Sequence, residues 1–360
     1  MYALTFFQCI LKFNIERAKT IVNLLNKQAT QGDVAKAAGV STATVSRVIN
    51  QPDSVRMPVR LRVEAAITQL QYVADAAARA LASKRSRCIG AVIPTLANAI
   101  FADGIEAFQT QLNEAGLSLM LTSSSYDTKH ELTQVRTLIE RGVDAVMLVG
   151  LDHDPLIYSL LQQRKIPYVL TWAYNKDCPH PCVGFDNYAA AKLIPTRLAN
   201  LGHQKFAVIN GISKGNDRAF DRLQGMQNSL LAHGITLTKS AIIECNYTIE
   251  EGREACRTLL MSQHPPTAIL CSNDVLATGA LLECQSCGID VPEEVSIAGF
   301  DDLAISANLT PSLTTIHIPF KLMGQKAAQY LINRLAGETP PAQQELSIEL
   351  RLRNSTSAPR

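Results

Sequence analysis

The stretch from Asp33 to Asn50, DVAKAAGVSTATVSRVIN, leaves the chain few choices. It reads as two short helices around a tight turn. Asp33 can cap the first helix, and Val34, Ala35 and Ala38 give it a small apolar face. Gly39 follows, where a helix end takes the left-handed conformation that costs glycine little. Ser41 is placed to cap the second helix. Val40 and Val45 bracket that cap as a hydrophobic staple. Val45, Val48 and Ile49 share one face of the second helix. Thr42, Ala43, Thr44, Ser46, Arg47 and Asn50 are left for the other faces. That outer side is small and polar at its start, with one long cation a turn later. Small residues let a helix start enter a major groove, where Arg47 can grip a guanine edge with two hydrogen bonds. The same pattern also fits an ordinary helical hairpin inside a core.

The flanks favour the DNA-reading alternative. Arg56 to Gln71 carries Val59, Val63, Ala66, Ile67 and Leu70 at helical spacing, a third helix able to close a mini-core. A unit of about forty residues is marginal alone. From Lys27 to Arg87 there are ten Lys or Arg against four Asp or Glu, whereas Cys88 to Arg360 carries 21 against 27. A basic module on an acidic body suits nucleic-acid binding by one end. Ala74 to Ser83, ADAAARALAS, has high helix propensity but is too short to be stable in isolation. It suits a segment that is helical in one state only, or a plain helical linker. Leu81 is its one large apolar residue.

From Cys88 onward short apolar runs alternate with helical patterns. CIGAVIPT, SLMLTSS, AVMLVG, PYVLTW and VGFDN read as strands, with helices between them and a helix expected from Ala189 to Leu201. The alternation then restarts with KFAVING, AIIECN, AILCSN and VSIAGF. Continuous apolar strands separated by helices mean parallel sheets covered on both faces. Two such runs imply two Rossmann-like lobes around a cleft, with ligands beyond the carboxyl ends of the strands.

Those strand ends are rich in polar side chains: Thr95 to Asn98, Ser123 to Asp127, Thr171 and Trp172, Asp186 and Asn187, Asn210 with Arg218 and Arg222, Asn246 and Tyr247, Ser272 to Asp274, Asp301 and Asp302. Acids, amides, an arginine or two and aromatic platforms suit a polar ring such as a sugar. Asp or Asn at a strand end can equally cap the next helix, and Asp186 and Asp274 fit that role. Arg222 lies inside a helical pattern, where capping does not explain it, so Arg222 and Asp301 are expected ligand contacts.

No nucleophile, general-base or phosphate-loop motif is present, so neither catalysis nor a cofactor is expected. Cys178/Cys182 and Cys284/Cys287 are the only close cysteine pairs; prolines interrupt the first and the second falls on a helix, so no metal is expected. His130, His153 and His203 fall near helix starts or in loops, where surface roles are commonest. Nine cysteines without a pattern suit the cytoplasm. The opening MYALTFFQCILKF is apolar but lacks a basic lead and a cleavage site, so neither a signal peptide nor a membrane span is expected.

In this order, the parts resemble the LacI/GalR family of transcriptional repressors. The resemblance covers roughly residues 30 to 355. It rests on DVAxxAGVSxxTVSRVIN, a hinge segment containing ALA, SNDVLATGAL, PEEVSIAGFDD and PSLTTIHIP. It implies an all-α helix-turn-helix DNA-binding domain with a hinge helix, followed by a two-lobed, periplasmic-binding-protein-like α/β core. The expected divisions are 1–29 as an N-terminal extension, 30–73 as the DNA-binding domain, 74–87 as hinge and linker, and 88–355 as the effector-binding and dimerisation core. Within that core one lobe takes 88–187 and about 317–340, and the other takes 188–316 and the C-terminal strands.

The resemblance also implies residue roles. Thr42, Ala43 and Arg47 match base-reading positions, with Thr44 between them and Asn50 ending the helix. Leu81 matches a leucine that wedges into the minor groove. Arg222, with Gly225 in the pattern RxxG, Asn273 and Asp301 match effector contacts. Phe101, Trp172 and Tyr247 match stacking aromatics, and Asn216 and Arg218 match further polar contacts. The implied partners are double-stranded operator DNA, a second copy of the chain, and a small effector: a sugar, a sugar acid or a phosphorylated derivative. VIPTLANAIFA points within the family to the gluconate-regulator branch. A solute-binding protein or enzyme with a dispensable helical appendage is the competing reading. Two departures stand out. Ala74-Asp75 replaces the usual proline and asparagine of the hinge, and Gln31-Gly32 replaces an apolar lead, which is expected to loosen the start of the first helix.

Overall fold

The structure is a computed structural model that describes residues 29–74 and 85–360. The N-terminal stretch to residue 28 and the hinge segment 75–84, with Leu81, lie outside the described residues. The chain divides into two units, one before and one after the junction at Lys84 and Arg85.

In the first unit α1 spans Gln31–Ala38, α2 Thr42–Asn50 and α3 Met57–Gln69. The cap of α1 is Thr30, three residues earlier than Asp33. Asp33 instead completes a capping box: its carboxylate accepts from the Thr30 amide at 2.8 Å, and Thr30 Oγ1 accepts from the Asp33 amide at 3.3 Å. Gln31 and Gly32 therefore sit inside the helix, and Gln31 Nε2 donates to the Thr42 carbonyl at 3.0 Å. That bond ties α1 to α2, so the helix start is held where loosening was expected. Gly39 closes α1 at φ +63°, and Ser41 Oγ accepts from the Thr44 amide at the start of α2. Among the described residues the fully buried core is Val34, Ala35, Ala38, Val45, Val48, Val63 and Ala66, all small, with Val40, Ile49, Val55, Ile67, Leu70 and Tyr72 half-buried against them. So small a core makes each cap count. Thr30→Ala is expected to cost about 1 kcal/mol. Amide exchange should quicken in Gln31–Ala38 and stay unchanged in the second unit.

The second unit opens with a parallel sheet. Its strands are β1 Cys88–Ile93, β2 Ser118–Ser123, β3 Ala145–Val149, β4 Tyr168–Thr171 and β5 Cys182–Gly184. Helices α4 Ala102–Glu114, α5 Thr128–Glu140 and α6 Pro155–Gln163 connect them. After α7 Asn187–Ala191 and α8 Leu193–Asn200 comes a second parallel sheet: β6 Phe206–Gly211, β7 Ile242–Cys245, β8 Ala268–Cys271 and β9 Ser296–Ala298. Its helices are α9 Asp217–Ala232, α10 Ile249–Leu260 and α11 Asp274–Cys287. β10 Thr315–His317 leads to α12 Phe320–Leu335, and β11 Gln343–Glu345 and β12 Glu349–Arg351 follow. The strand orders are β11-β5-β4-β3-β1-β2 and β7-β6-β8-β9. Fully buried strands such as β3 and β6 need helices on both faces, and they have them. The chain passes between the lobes three times: after β5, between β10 and α12, and between β11 and β12.

Three details depart from expectation. The helix expected from Ala189 to Leu201 breaks at Lys192, because Pro195 has no N–H to give the Ala191 carbonyl. The C-terminal strands do not all join the second lobe: β11 pairs with β5 in the first sheet, and β12 pairs antiparallel with β10. Gln343 fixes the first of these, because its Nε2 donates to the carbonyls of Cys178 and His180 while its Oε1 accepts from Cys182 Sγ. Cys178 thus lies in a clamped loop that leads into β5 at Cys182. His153 and His203 are buried, not surface, residues. His203 shares hydrogen bonds with Thr267 Oγ1 and the Ser357 carbonyl and so holds the C-terminal tail. Among the described residues no helix is long and apolar enough to cross a membrane, and no group of three or more His, Cys, Asp or Glu is placed to hold a metal.

Candidate functional site

Two surfaces carry the residues singled out in the sequence. On α2, Val45 and Val48 turn inward, leaving Thr42, Ala43, Arg47 and Asn50 exposed and Thr44 half-buried. Thr44 Oγ1 is engaged with Ser41 Oγ at 3.0 Å, and Asn50 Nδ2 donates to Ser46 Oγ at 3.2 Å. The outward face is therefore small at its N-terminus, with Arg47 extending one turn later.

The second surface is a pocket between the lobes of the second unit. Phe101, just before α4, and Trp172, just after β4, give it an aromatic wall from the first lobe, with ring centroids 5.3 Å apart. The second lobe supplies Asn216, which caps α9, then Arg218 and Arg222 on that helix, Tyr247 after β7, and Asn273, which caps α11. Asp301 follows β9 beneath Arg222, at φ +112°. Strand ends meeting helix starts explain why residues 200 positions apart converge here.

Arg222 is the hub. It is 4% exposed. Its Nε donates to Asn187 Oδ1 at 2.9 Å and its Nη1 to the Ser272 carbonyl at 2.7 Å. Its guanidinium lies 3.8 Å from the centroid of the Phe300 ring. Nη1 also stands 3.3 Å from Asp301 Oδ1, a charge contact too poorly aligned to count as a hydrogen bond. Asp301 is 1% exposed and neither of its oxygens accepts a hydrogen bond from the protein. Burial pushes its carboxyl up to about 7, against the pull of Arg222. Trp172 Nε1, Asn273 Nδ2 and Asn98 Nδ2 are buried donors with no protein partner. Asn273 serves twice: its Oδ1 caps α11 by accepting from the Leu276 amide, which leaves Nδ2 to face elsewhere. Trp172 and Asn273 line the same pocket, and unmatched buried polar groups are costly unless something polar meets them.

Asp186 and Asp274 take the capping or structural role. Asp186 accepts from the Ala189 amide. Asp274 accepts from Ser306 Oγ, Thr315 Oγ1 and the Leu303 amide, and burial raises its carboxyl to about 6. Tyr126, within the polar strand end Ser123 to Asp127, joins the pocket without a sequence signal of its own. It stands in the pocket wall with its ring 6.0 Å from that of Tyr247, and burial pushes its phenol upward. Its only signal was position after β2, shared with four neighbours.

Known proteins share this arrangement. Residues 30–75 match the model for bacterial regulatory proteins of the lacI family, and residues 196–356 match that for a periplasmic binding protein-like domain. The HTH-type transcriptional repressor CytR of Escherichia coli is 32% identical over 332 residues, spanning 92% of this chain and 97% of its own length. The HTH-type transcriptional regulator GntR of the same species is 28% identical over 313 residues, 87% and 94% of the two chains. The structure of the lac repressor dimer bound to operator and an anti-inducer superposes with a TM-score of 0.81 at 28% identity, covering 92% of this chain and all of that one. The chain belongs to the LacI family of bacterial regulatory proteins and is a DNA-binding transcriptional repressor with a small-molecule effector domain.

Proposed function

We propose that the chain acts as a cytoplasmic homodimer that reads a near-palindromic operator and responds to a sugar or sugar acid held by the pocket around Arg222. Thr42, Ala43, Thr44, Arg47 and Asn50 read or flank the bases, and Leu81 wedges the minor groove when the hinge folds on DNA. Phe101, Trp172 and Tyr247 stack on the effector, while Asn216, Arg218, Arg222, Asn273 and Asp301 meet its polar groups. The ligand shifts operator affinity by favouring one arrangement of the two lobes. Bound at that pocket, it stays chemically unchanged.

One observation carries the effector class: buried donors without a hydrogen-bond partner on Trp172 and Asn273, and a buried Asp301 carboxyl that accepts no hydrogen bond although Arg222 lies 3.3 Å away, near the Phe101–Trp172 aromatic wall. Neighbouring hydroxyls both donate and accept, and a sugar ring presents flat apolar faces, so a polyol satisfies all of these groups together. The VIPTLANAIFA stretch, similar to the gluconate-regulator branch, is the reason to try sugar acids first within that class.

The test is a melting screen of the full chain against sugars, sugar acids, their phosphates and purines. A true effector at a hundred times its dissociation constant adds about 2.7 kcal/mol of stability. It should also change affinity for operator DNA. Stabilisation by purines alone would replace the sugar reading, and silence across the panel would remove it.

A further inference from the structure

The start of α9 does more than face the pocket. Asp217 Oδ2 accepts from the amide of Leu151 at 2.6 Å. Asp217 Oδ1 accepts from Arg218 Nη1 at 2.7 Å, and the same Nη1 donates to the carbonyl of Val149 at 3.1 Å. Val149 and Leu151 belong to the first lobe, at the end of β3; Asp217 and Arg218 belong to the second. The contact is flush. Gly150 lies between the two bonded residues at φ +103°, and a Cβ there would fall 2.2 Å from Arg218 Nη1 and 2.7 Å from Asp217 Oδ1.

The first lobe holds this turn rigidly for the grip. The Gly150 amide donates to the Thr171 carbonyl at 2.8 Å. The Gly150 carbonyl shares a 3.1 Å bond with His153 Nε2, whose Nδ1 contacts Glu131 Oε2 at 2.8 Å. Tyr158 Oη donates to the Leu151 carbonyl at 3.2 Å. Every polar backbone group from the Val149 carbonyl to the Leu151 carbonyl is thus engaged. Nothing in the set requires an effector, and the Asp217–Arg218 pair is neutral as a unit, so each charge keeps its counter-charge next to it when the lobes part.

We infer that Asp217 and Arg218 are positioning residues that latch the lobes across the cleft by gripping the Gly150 turn, and that this latch sets how often the unliganded cleft is closed. Arg218 then influences the effector by holding the far wall in place as well as by facing the pocket. The effector inherits the bias, because a ligand that needs the closed cleft binds more weakly in proportion to the time the cleft is open. That consequence rests on the pocket being the effector site; the latch itself does not.

The chain carries a single tryptophan, and Trp172 lines the pocket at 1% exposure. Its emission therefore reports opening without any label. The experiment uses the full chain with neither ligand nor DNA, so its outcome is independent of what the effector is. Wild-type protein should show blue emission, weak acrylamide quenching and a Leu151 amide that exchanges slowly. Asp217→Ala removes a charge-assisted acceptor, worth roughly tenfold or more in that amide's protection. Its Trp172 emission should shift to the red and quench several-fold more. Gly150→Ala, which leaves both partners in place but wedges them apart, should behave alike. Arg218→Lys, still cationic and still able to reach Asp217, should recover most of the wild-type quenching. A Leu151 amide that exchanges at the unprotected rate in the wild type would overturn the latch, whether or not any variant folds. So would variants that fold and quench like the wild type.

Discussion

Arg222→Ala is expected to erase the response to effector and to lower the melting point of the second unit by something on the order of 10 °C, while operator binding at permissive temperature survives. The magnitude follows from what the side chain does. Among the described residues it is the one cation in contact with Asp301, and it hydrogen-bonds Asn187 at the start of α7 and the Ser272 carbonyl just after β8. Removing one partner of a buried ion pair costs about 3–5 kcal/mol because the other charge is stranded. At roughly 2–4 °C per kcal/mol, that is a large shift.

The loss has a sign that depends on pH. Asp301 is already raised to about 7 in the wild type, and its unfolded value lies near 3.8. The folded chain therefore keeps a proton that the unfolded chain releases, so stability falls as pH rises from about 4 to about 7. Asp274, raised to about 6, adds to the same slope. Without Arg222 the Asp301 carboxyl rises further, and the deficit of the variant should be small at pH 5 and large at pH 8. Adding Asp301→Asn to Arg222→Ala removes the stranded charge and should recover much of the stability but none of the effector response. A deficit that is equal at both pH values would mean that Arg222 acts through packing on Phe300 instead.

Much of this architecture could be read from the chain because its signals are local. The run of glycine, cap and staple at Gly39, Ser41, Val40 and Val45 depends on neighbours within a few residues, and so does the alternation of apolar strands with helices. Arg222 was legible as an expected ligand contact because it lies inside a helical pattern, where capping does not explain it, and because RxxG with Gly225 resembles the family pattern. What escaped depends on distant partners. Whether Asp33 caps or completes a cap turns on Thr30, which looks like any loop threonine. Asp217 reads as a common acid in a first helical turn, and its bond to Leu151 joins residues 66 apart. Gln343 gives no hint that it closes the Cys178 loop. His153 and His203 look like loop histidines until the segments that bury them are placed. Tyr126 differs from its neighbours only in which way the strand end points it.

The recognition helix yields the other large effect, one that separates reading from docking. Arg47 is exposed on α2 and has no partner among the described residues. Its guanidinium is free to make the two-pronged contact with guanine that no other outward side chain of that helix can copy. Arg47→Ala is expected to weaken the cognate operator by about 1–3 kcal/mol, roughly five- to 150-fold. Operators altered at the base pair it reads should lose little more, since the contact they disturb is already gone. Non-specific DNA should be bound nearly as before, because that binding comes from phosphates. Arg56 offers the contrast: exposed and cationic but outside α2, it suits the backbone. Arg56→Ala should weaken all sequences alike and reduce the dependence of log affinity on log salt by about one unit. Titrations of wild type and both variants on cognate, altered and random duplexes at two salt concentrations distinguish the cases. If Arg47→Ala lost affinity evenly across all three duplexes, Arg47 would be a phosphate ligand, and base reading would fall to Thr42, Ala43 and Asn50.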